Sequence, residues 1–219
     1  MVKLSRPSKM PCATWSLEAR KTCPGSVDPV TKESVPVCEG CYASYGFYKM
    51  PASKKIRINN RKDWQRKEWV SEMIEAINTQ KPDKQGKRYF RWFDSGDIYH
   101  PNLAVKILEV MKGTPKVKHW LPTRSYKIPK IRETLEEMKL LPNVMVRYSS
   151  DSITGEHGEI HGSVVIPDHD FKIKAKKCDA YERDGKCGDC RACWSKSVKL
   201  IAYSAHGVKM KTVVKKHAA

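Results

Sequence analysis

The sequence predicts an α/β fold with a parallel β/α core, either an open doubly wound sheet or a partial or complete TIM-barrel-like one, and with Cys-rich N- and C-terminal loops that bind metal. Three observations predict it. Candidate strands begin at residues 88, 117 and 143 with amphipathic helical segments between them, the βαβ rhythm that implies parallel strands and right-handed crossovers. Each of these strands runs into a polar cluster. Seven of the eight cysteines fall into two groups that flank this region.

The elements follow in order. Residues 1–60 are rich in Pro, Gly, Cys and Lys with little periodicity, and read as loops around something that orders them. Residues 63–78 read as a helix, with Asp63 as its cap and Trp69, Val70, Met73, Ile74 and Ile77 on one face. A turn spans 80–87. Residues 88–93 form a strand and 101–113 a helix, with Pro101 in its first turn and Gly113 at its end. A strand at 117–121, a helix at 129–141, a strand at 143–149 and a fourth strand at 163–166 complete a core spanning 63–166. Residues 172–205 hold the second cysteine group and a last strand at 198–203, and 206–219 are a basic, solvated tail. The whole chain, 1–219, reads as one domain.

Composition narrows the function. With 219 residues the chain buries roughly 70% of its unfolded surface, so the cysteines are not needed as staples for a miniature core. A mean hydropathy of −0.61 and the absence of an apolar run near the ~20 residues of a membrane span argue against a membrane protein. The first residues lack the apolar segment of a signal peptide, so a cytoplasmic location is expected. The 42 Lys+Arg against 24 Asp+Glu give a net charge of +18, which favours anionic partners, either nucleic acid or small phosphorylated molecules. A Lys-rich surface that serves solubility alone is the plainer alternative. Oligomeric state is not encoded in any pattern.

In parallel α/β folds ligands bind at the carboxyl ends of the strands. Those ends carry Asp94-Ser95-Gly96-Asp97, Thr123-Arg124-Ser125, Ser149-Ser150-Asp151-Ser152, and finally Ser204 and His206. Asp97, Arg124, Asp151 and His206 are the catalytic candidates; Asp94, Ser95, Thr123, Ser125 and Ser149 are candidates for holding a ligand. Arg124 offers a planar fork for a carboxylate or phosphate. Asp97 or His206 offers a proton-transfer group. Helix capping alone also explains some of these residue types.

The C-terminal cysteines, Cys178, Cys187, Cys190 and Cys193, end in a C-x2-C-x2-C run. Structural zinc sites usually draw on two separated C-x2-C pairs, whereas a compact run suits an iron–sulfur cluster with one thiolate per iron. Gly188 permits the tight backbone, and Lys186, Arg191 and Lys196 are expected to offset thiolate charge. The N-terminal group offers Cys23, Cys38 and Cys41. Three protein ligands leave a metal position open, as in a reactive site. One composite site drawing on both groups is the alternative to two. A disulfide framework suits exported proteins, and nothing in the sequence suggests export.

Taken in order, Cys23-Pro24-Gly25, Cys38 to Ala43, Ser95-Gly96-Asp97, Thr123-Arg124-Ser125, Pro142-Asn143, Asp151 and Cys187 to Trp194 resemble the phage gene-product-88 family over about residues 20–205. Cys12 lies outside that pattern. The resemblance implies a phage protein working in the infected host's cytoplasm. The CYA element and the βα repeats are also distantly similar to radical S-adenosylmethionine enzymes, which place three cysteines around an open [4Fe–4S] iron in a partial TIM barrel. There the cysteines are packed as C-x3-C-x2-C, while here Cys23 lies fifteen residues before Cys38. This likeness implies S-adenosylmethionine as a candidate ligand.

The resulting expectation is an iron–sulfur protein with one or two [4Fe–4S] clusters. Redox, radical or sulfur-transfer chemistry on a nucleotide, nucleic acid or other anionic substrate would follow. The competing reading is a non-enzymatic, zinc-stabilised nucleic-acid-binding protein, whose Tyr89-Phe90-Arg91-Trp92 and Lys118-His119-Trp120 would stack on bases. Strand core is the plainer account of those aromatics.

Overall fold

The computed structural model describes residues 2–158 and 161–217. Seven parallel strands form one sheet in the order β1-β2-β3-β4-β5-β7-β6. They are β1 (Ala13–Trp15), β2 (Arg88–Trp92), β3 (Val117–Thr123), β4 (Val144–Ser149), β5 (Gly162–Ile166), β6 (Lys176–Lys177) and β7 (Leu200–Ser204). The helices are α1 (Pro36–Glu39), α2 (Pro51–Asp63), α3 (Trp69–Asn78), α4 (Pro101–Gly113), α5 (Pro129–Leu140) and α6 (Val208–His217). None is long and apolar enough to cross a membrane.

Alternation along the strands gives the sheet two different faces. Phe90, Trp92, Leu121 and Val146 join Trp69, Met73 and Ile77 of α3 and the apolar stripes of α4 and α5 in the main core. The opposite face carries Tyr89, Trp120 and Met145, which pack with Trp194, Cys193 and Cys12. Helix α4 matches its sequence signals. Its N-cap His100 accepts the amide of Asn102 through Nδ1 at 3.1 Å, and Gly113 ends it where an added Cβ would stand 2.4 Å from Ile74.

Three expectations need correction. Residues 1–60 are not all loop: β1 pairs with β2, and α2 is a thirteen-residue helix. Polar contacts hold α2, which hid it from a reading of apolar periodicity. Asn60 donates to Ser16 O, Arg61 to Glu18, and Arg57 to Ser95 Oγ. Asp63 therefore closes α2 instead of capping the next helix, which starts only at Trp69. The tail is not free: α6 docks on α1, with Lys216 and His217 at 3.0 and 2.9 Å from Glu39 and Val213 packed with Val35 and Val37. Its last two residues lie outside the described residues.

Most aromatic residues of the aromatic–basic runs are core, while Lys118 is exposed and Tyr89 half-buried. Phe90, Trp92 and His119 are fully buried and Trp120 nearly so, so none faces a nucleic acid. His119 shows the chemistry of that interior. Its Nδ1 accepts from Trp92 Nε1 at 3.2 Å, and its Nε2 lies 2.8 Å from Thr114 Oγ1, which donates onward to Val110 O. That chain of donors places the ring proton on Nε2. A second proton on Nδ1 would face the indole N–H, and burial without an acid partner holds the pKa down to about 3. The unfolded chain takes up this proton below about pH 6.5, while the folded chain stays neutral. The residue's contribution to stability is therefore complete above that pH and falls by about 1.4 kcal/mol per unit as pH drops toward 3. In urea unfolding, the stability deficit of His119→Gln is expected to shrink between pH 6.5 and 4.5. A deficit independent of pH would contradict the neutral buried imidazole.

Candidate metal centres

The first cysteine group stands at the carboxyl ends of β2, β3 and β4. Cys23 opens the Pro24-Gly25 turn, and a Cβ on Gly25 would sit 2.4 Å from Arg124 O, so only glycine lets this turn lie against the end of β3. Cys38 ends on α1, and the Cys41 amide donates back to Cys38 O at 3.3 Å. Arg20 joins the two pieces through its guanidinium, 3.3 Å from both Cys38 O and Glu39 O. The thiols lie close enough to influence one another. Burial pushes Cys23 up to about 12, with Asp97, Cys41 and Cys38 adding to the shift. Cys38 is raised by burial and by Cys41 and Asp151, against Arg124 and Lys127.

Asp97 ties this end of the sheet together. Its carboxylate accepts Thr123 Oγ1 at 2.7 Å, the Ile98 amide at 2.8 Å and the Arg124 amide at 2.8 Å, while its own amide donates to Thr22 O. Burial outweighs these donors and raises its pKa. With both oxygens occupied, Asp97 holds three loops in place and is poorly disposed to carry protons. Its neighbour Gly96, at φ 75°, leaves no room for a Cβ beside Leu17 and Thr22.

Arg124 donates to Ser150 O at 2.7 Å and lies 3.4 Å from Asp151, which also pairs with Lys127. An incoming anion would compete with Asp151 for two cations. Thr123 Oγ1 and Ser125 Oγ are spent on Asp97 and Ile98 O, and Ser149 Oγ bonds Ser163 Oγ at 3.1 Å. Ser95 bridges Arg57 and Leu17 O. Asp94 accepts from Tyr48 at 3.3 Å and pairs with Arg57 at 3.4 Å, while its buried Oδ1 has no hydrogen-bond partner among the described residues. His206 sits elsewhere, its ring 4.2 Å from Tyr181 and its Nδ1 3.1 Å from Ser204 O.

The second group covers the sheet's other face. The Cys178 amide donates to Ala202 O, the Cys187 amide to Lys9 O and the Cys190 amide to Cys187 O. Gly188 turns the run at φ 53°, as its sequence position suggests. Cys193 Sγ is 3.3 Å from Tyr203 Oη, and burial pushes its thiol to about 11. Burial also raises Cys178 and Cys187; Cys190 adds to both, and Cys178 adds to Cys187 and Cys193. The eight cysteines form no disulfide, and the thiols gather as two groups.

The sequence missed three participants. Cys12, beside β1, lies near Cys187 and is pushed to about 12 by burial. Met10 Sδ stands 3.6 Å from Cys187 Sγ. Arg147 of β4 is fully buried and donates to Cys193 O, Ala192 O, Ser195 O and Val198 O at 3.1, 3.0, 2.9 and 2.9 Å, with longer bonds to Gly162 O and Lys199 O. The cations expected beside these thiolates are partly used elsewhere. Lys196 caps carbonyls of Lys139 and Leu141, whereas Arg191, 3.7 Å from Asp83, does offset the charge of Cys187 and Cys12. Arg147 and Arg91 act on Cys193 instead.

A family model described as Gene product 88 matches residues 2–196. Comparison with the curated proteins and with the solved structures gave no match.

Replacing Arg147 with Met strands buried carbonyls that cost about 1–3 kcal/mol apiece when unpaired. Arg147→Met is expected to lose at least about 3 kcal/mol of stability in urea unfolding, with tryptic cleavage appearing first at Lys186, Arg191 or Lys196. Stability and cleavage like the parent's would contradict this anchoring role.

Proposed function

The chain belongs to the Gene product 88 family, and from that premise we propose that it is a phage-encoded iron–sulfur enzyme of the host cytoplasm, acting on an anionic substrate. Cys178, Cys187, Cys190 and Cys193 would hold one [4Fe–4S] cluster with full thiolate ligation. Cys23, Cys38 and Cys41 would hold a second, with one iron open toward the strand ends. The consecutive strand order from β1 to β5 suits a partial barrel with this centre at its mouth.

The carrying observation is the separation of the thiols into Cys178, Cys187, Cys190 and Cys193 under the sheet, with Cys12 beside them, and a group of three beside Asp97, Arg124, Lys127 and Asp151. One further feature fits. Arg147 has no carboxylate partner among the described residues, and its charge complements an anionic thiolate centre.

Such clusters supply single electrons and, at an open iron, a binding position for substrate or S-adenosylmethionine. The chain's own part is to bind and orient. Arg124 and Lys127 provide the cations that a carboxylate or phosphate meets, and Asp151 is the group it displaces. Asp97 fixes the loops that carry them. Reductive, radical and sulfur-transfer reactions all remain within this class.

Anaerobic purification with iron, sulfide and zinc quantified per chain tests the reading. About eight irons and eight sulfides are expected for two cubanes, falling to about four of each in Cys23→Ala/Cys38→Ala/Cys41→Ala. Zinc without iron, persisting after chemical reconstitution, would overturn it in favour of a zinc-stabilised binding protein.

A further inference from the structure

Directly after Cys41 the chain builds a ledge that the strand-end chemistry does not use. Two 3-10 turns, Tyr42–Ser44 and Gly46–Lys49, lead into α2. They present Phe47 79%, Tyr42 50%, Met50 49% and Tyr45 38% exposed, four large apolar side chains within nine residues. Isolated exposed apolar residues are ordinary, but a contiguous set is not.

Its surroundings are cationic. Residues 41–62 contain six Lys and Arg and no Asp or Glu. Lys49 and Lys209 of α6 hold their ammonium groups 5.8 and 5.5 Å from the Tyr45 ring. Lys54 and Lys55 are exposed in the first turns of α2. The nearest acid on the α1 side, Glu39, is already paired with Lys216 and His217.

The ledge is also rigid. Tyr42 donates its hydroxyl to Asp94 O at 2.7 Å and Tyr48 donates to Asp94 Oδ2, while the two rings meet edge to face at 5.4 Å. The Arg57 guanidinium lies 4.6 Å from the Tyr48 ring and reaches Ser95. The hydroxyls of Tyr42 and Tyr48 are thus turned inward to the end of β2, while Phe47 and Tyr45 stay exposed.

The geometry points to this ledge as a docking surface for single-stranded nucleic acid. Unstacked bases lie on Phe47 and Tyr45, and the phosphates are met by Lys49, Lys54, Lys55 and Lys209. Exposed aromatic faces flanked by lysines match a strand that offers both π-faces and regularly spaced negative charge. A duplex hides its base faces. A membrane surface would call for an amphipathic helix with an apolar stripe, and α2 exposes Lys, Asn and Ala there instead. The inference deepens the anionic-substrate part of the proposed function and rests on that part; it does not depend on which metal is bound.

The test is fluorescence anisotropy of the full chain with a labelled oligothymidylate of about 16 nucleotides across a salt series. Metal content is measured on every preparation. Tyr45→Ala/Phe47→Ala is expected to weaken binding by roughly tenfold or more with little change in salt slope. Lys49→Gln/Lys209→Gln is expected to lower the slope. Equal binding by parent and aromatic variant, tighter binding of the matching duplex, or binding only to anionic phosphatidylglycerol vesicles would each overturn the assignment. A colourless, zinc-holding protein that still binds through Tyr45 and Phe47 would support the ledge while sinking the iron–sulfur reading, so the two fail separately.

Discussion

Arg147, whose guanidinium has no carboxylate partner among the described residues, sits fully buried beneath the sheet, and the C-terminal part of the molecule is arranged to satisfy it. Six carbonyls from Gly162 and the 192–199 segment converge on it. Burying such a charge is costly unless every donor is met. Meeting those donors brings Cys193 and Trp194 over β3 and β4. Trp194 then packs edge-on against Trp120 and Tyr89, each at 5.3 Å, and donates to Phe90 O. The thiol group is thereby placed under the sheet, beside Trp120, Met145 and Tyr203.

The opposite demand operates at the strand ends. There a buried carboxylate, Asp97, collects the loops after β2 and β3 and, through Thr22, the chain leading to Cys23. Its position explains why the Pro24-Gly25 turn and the Thr123-Arg124-Ser125 turn can touch. One sheet thus supports two thiol groups by different means, a buried cation for the group of four and a buried anion for the group of three. Asp94 extends the second arrangement outward, since it anchors Tyr42, Tyr48 and Arg57 at the base of the aromatic ledge.

Much of this was legible in the sequence where apolar periodicity carries the information. Helix α4 has the bounds that Pro101 and Gly113 announce, and β3, β4 and α5 differ from expectation by at most two residues at an end. The elements that escaped are short or polar. Strand β1 is three residues long, too short for alternation to register, and α2 is held by Arg57, Asn60 and Arg61 instead of an apolar stripe. The cysteine groups were legible from spacing, because local runs such as Cys187 to Cys193 fold back on themselves. Cys12 and Arg147 were not, since each owes its place to partners distant in sequence, Cys187 and the 192–199 segment. Asp97 was legible as important but not in its role, which depends on donors from three loops.

We propose that a metal–thiolate centre, together with Arg147, closes the face of the sheet that carries Trp120, Met145 and Tyr203. Amide hydrogen exchange on anaerobically prepared protein, before and after metal is stripped by a chelator, tests it most directly. The account predicts that residues 176–198 lose protection on stripping while α3, α4 and α5 keep theirs. Unchanged protection across 176–198 would show that the segment holds itself without metal and would contradict the claim.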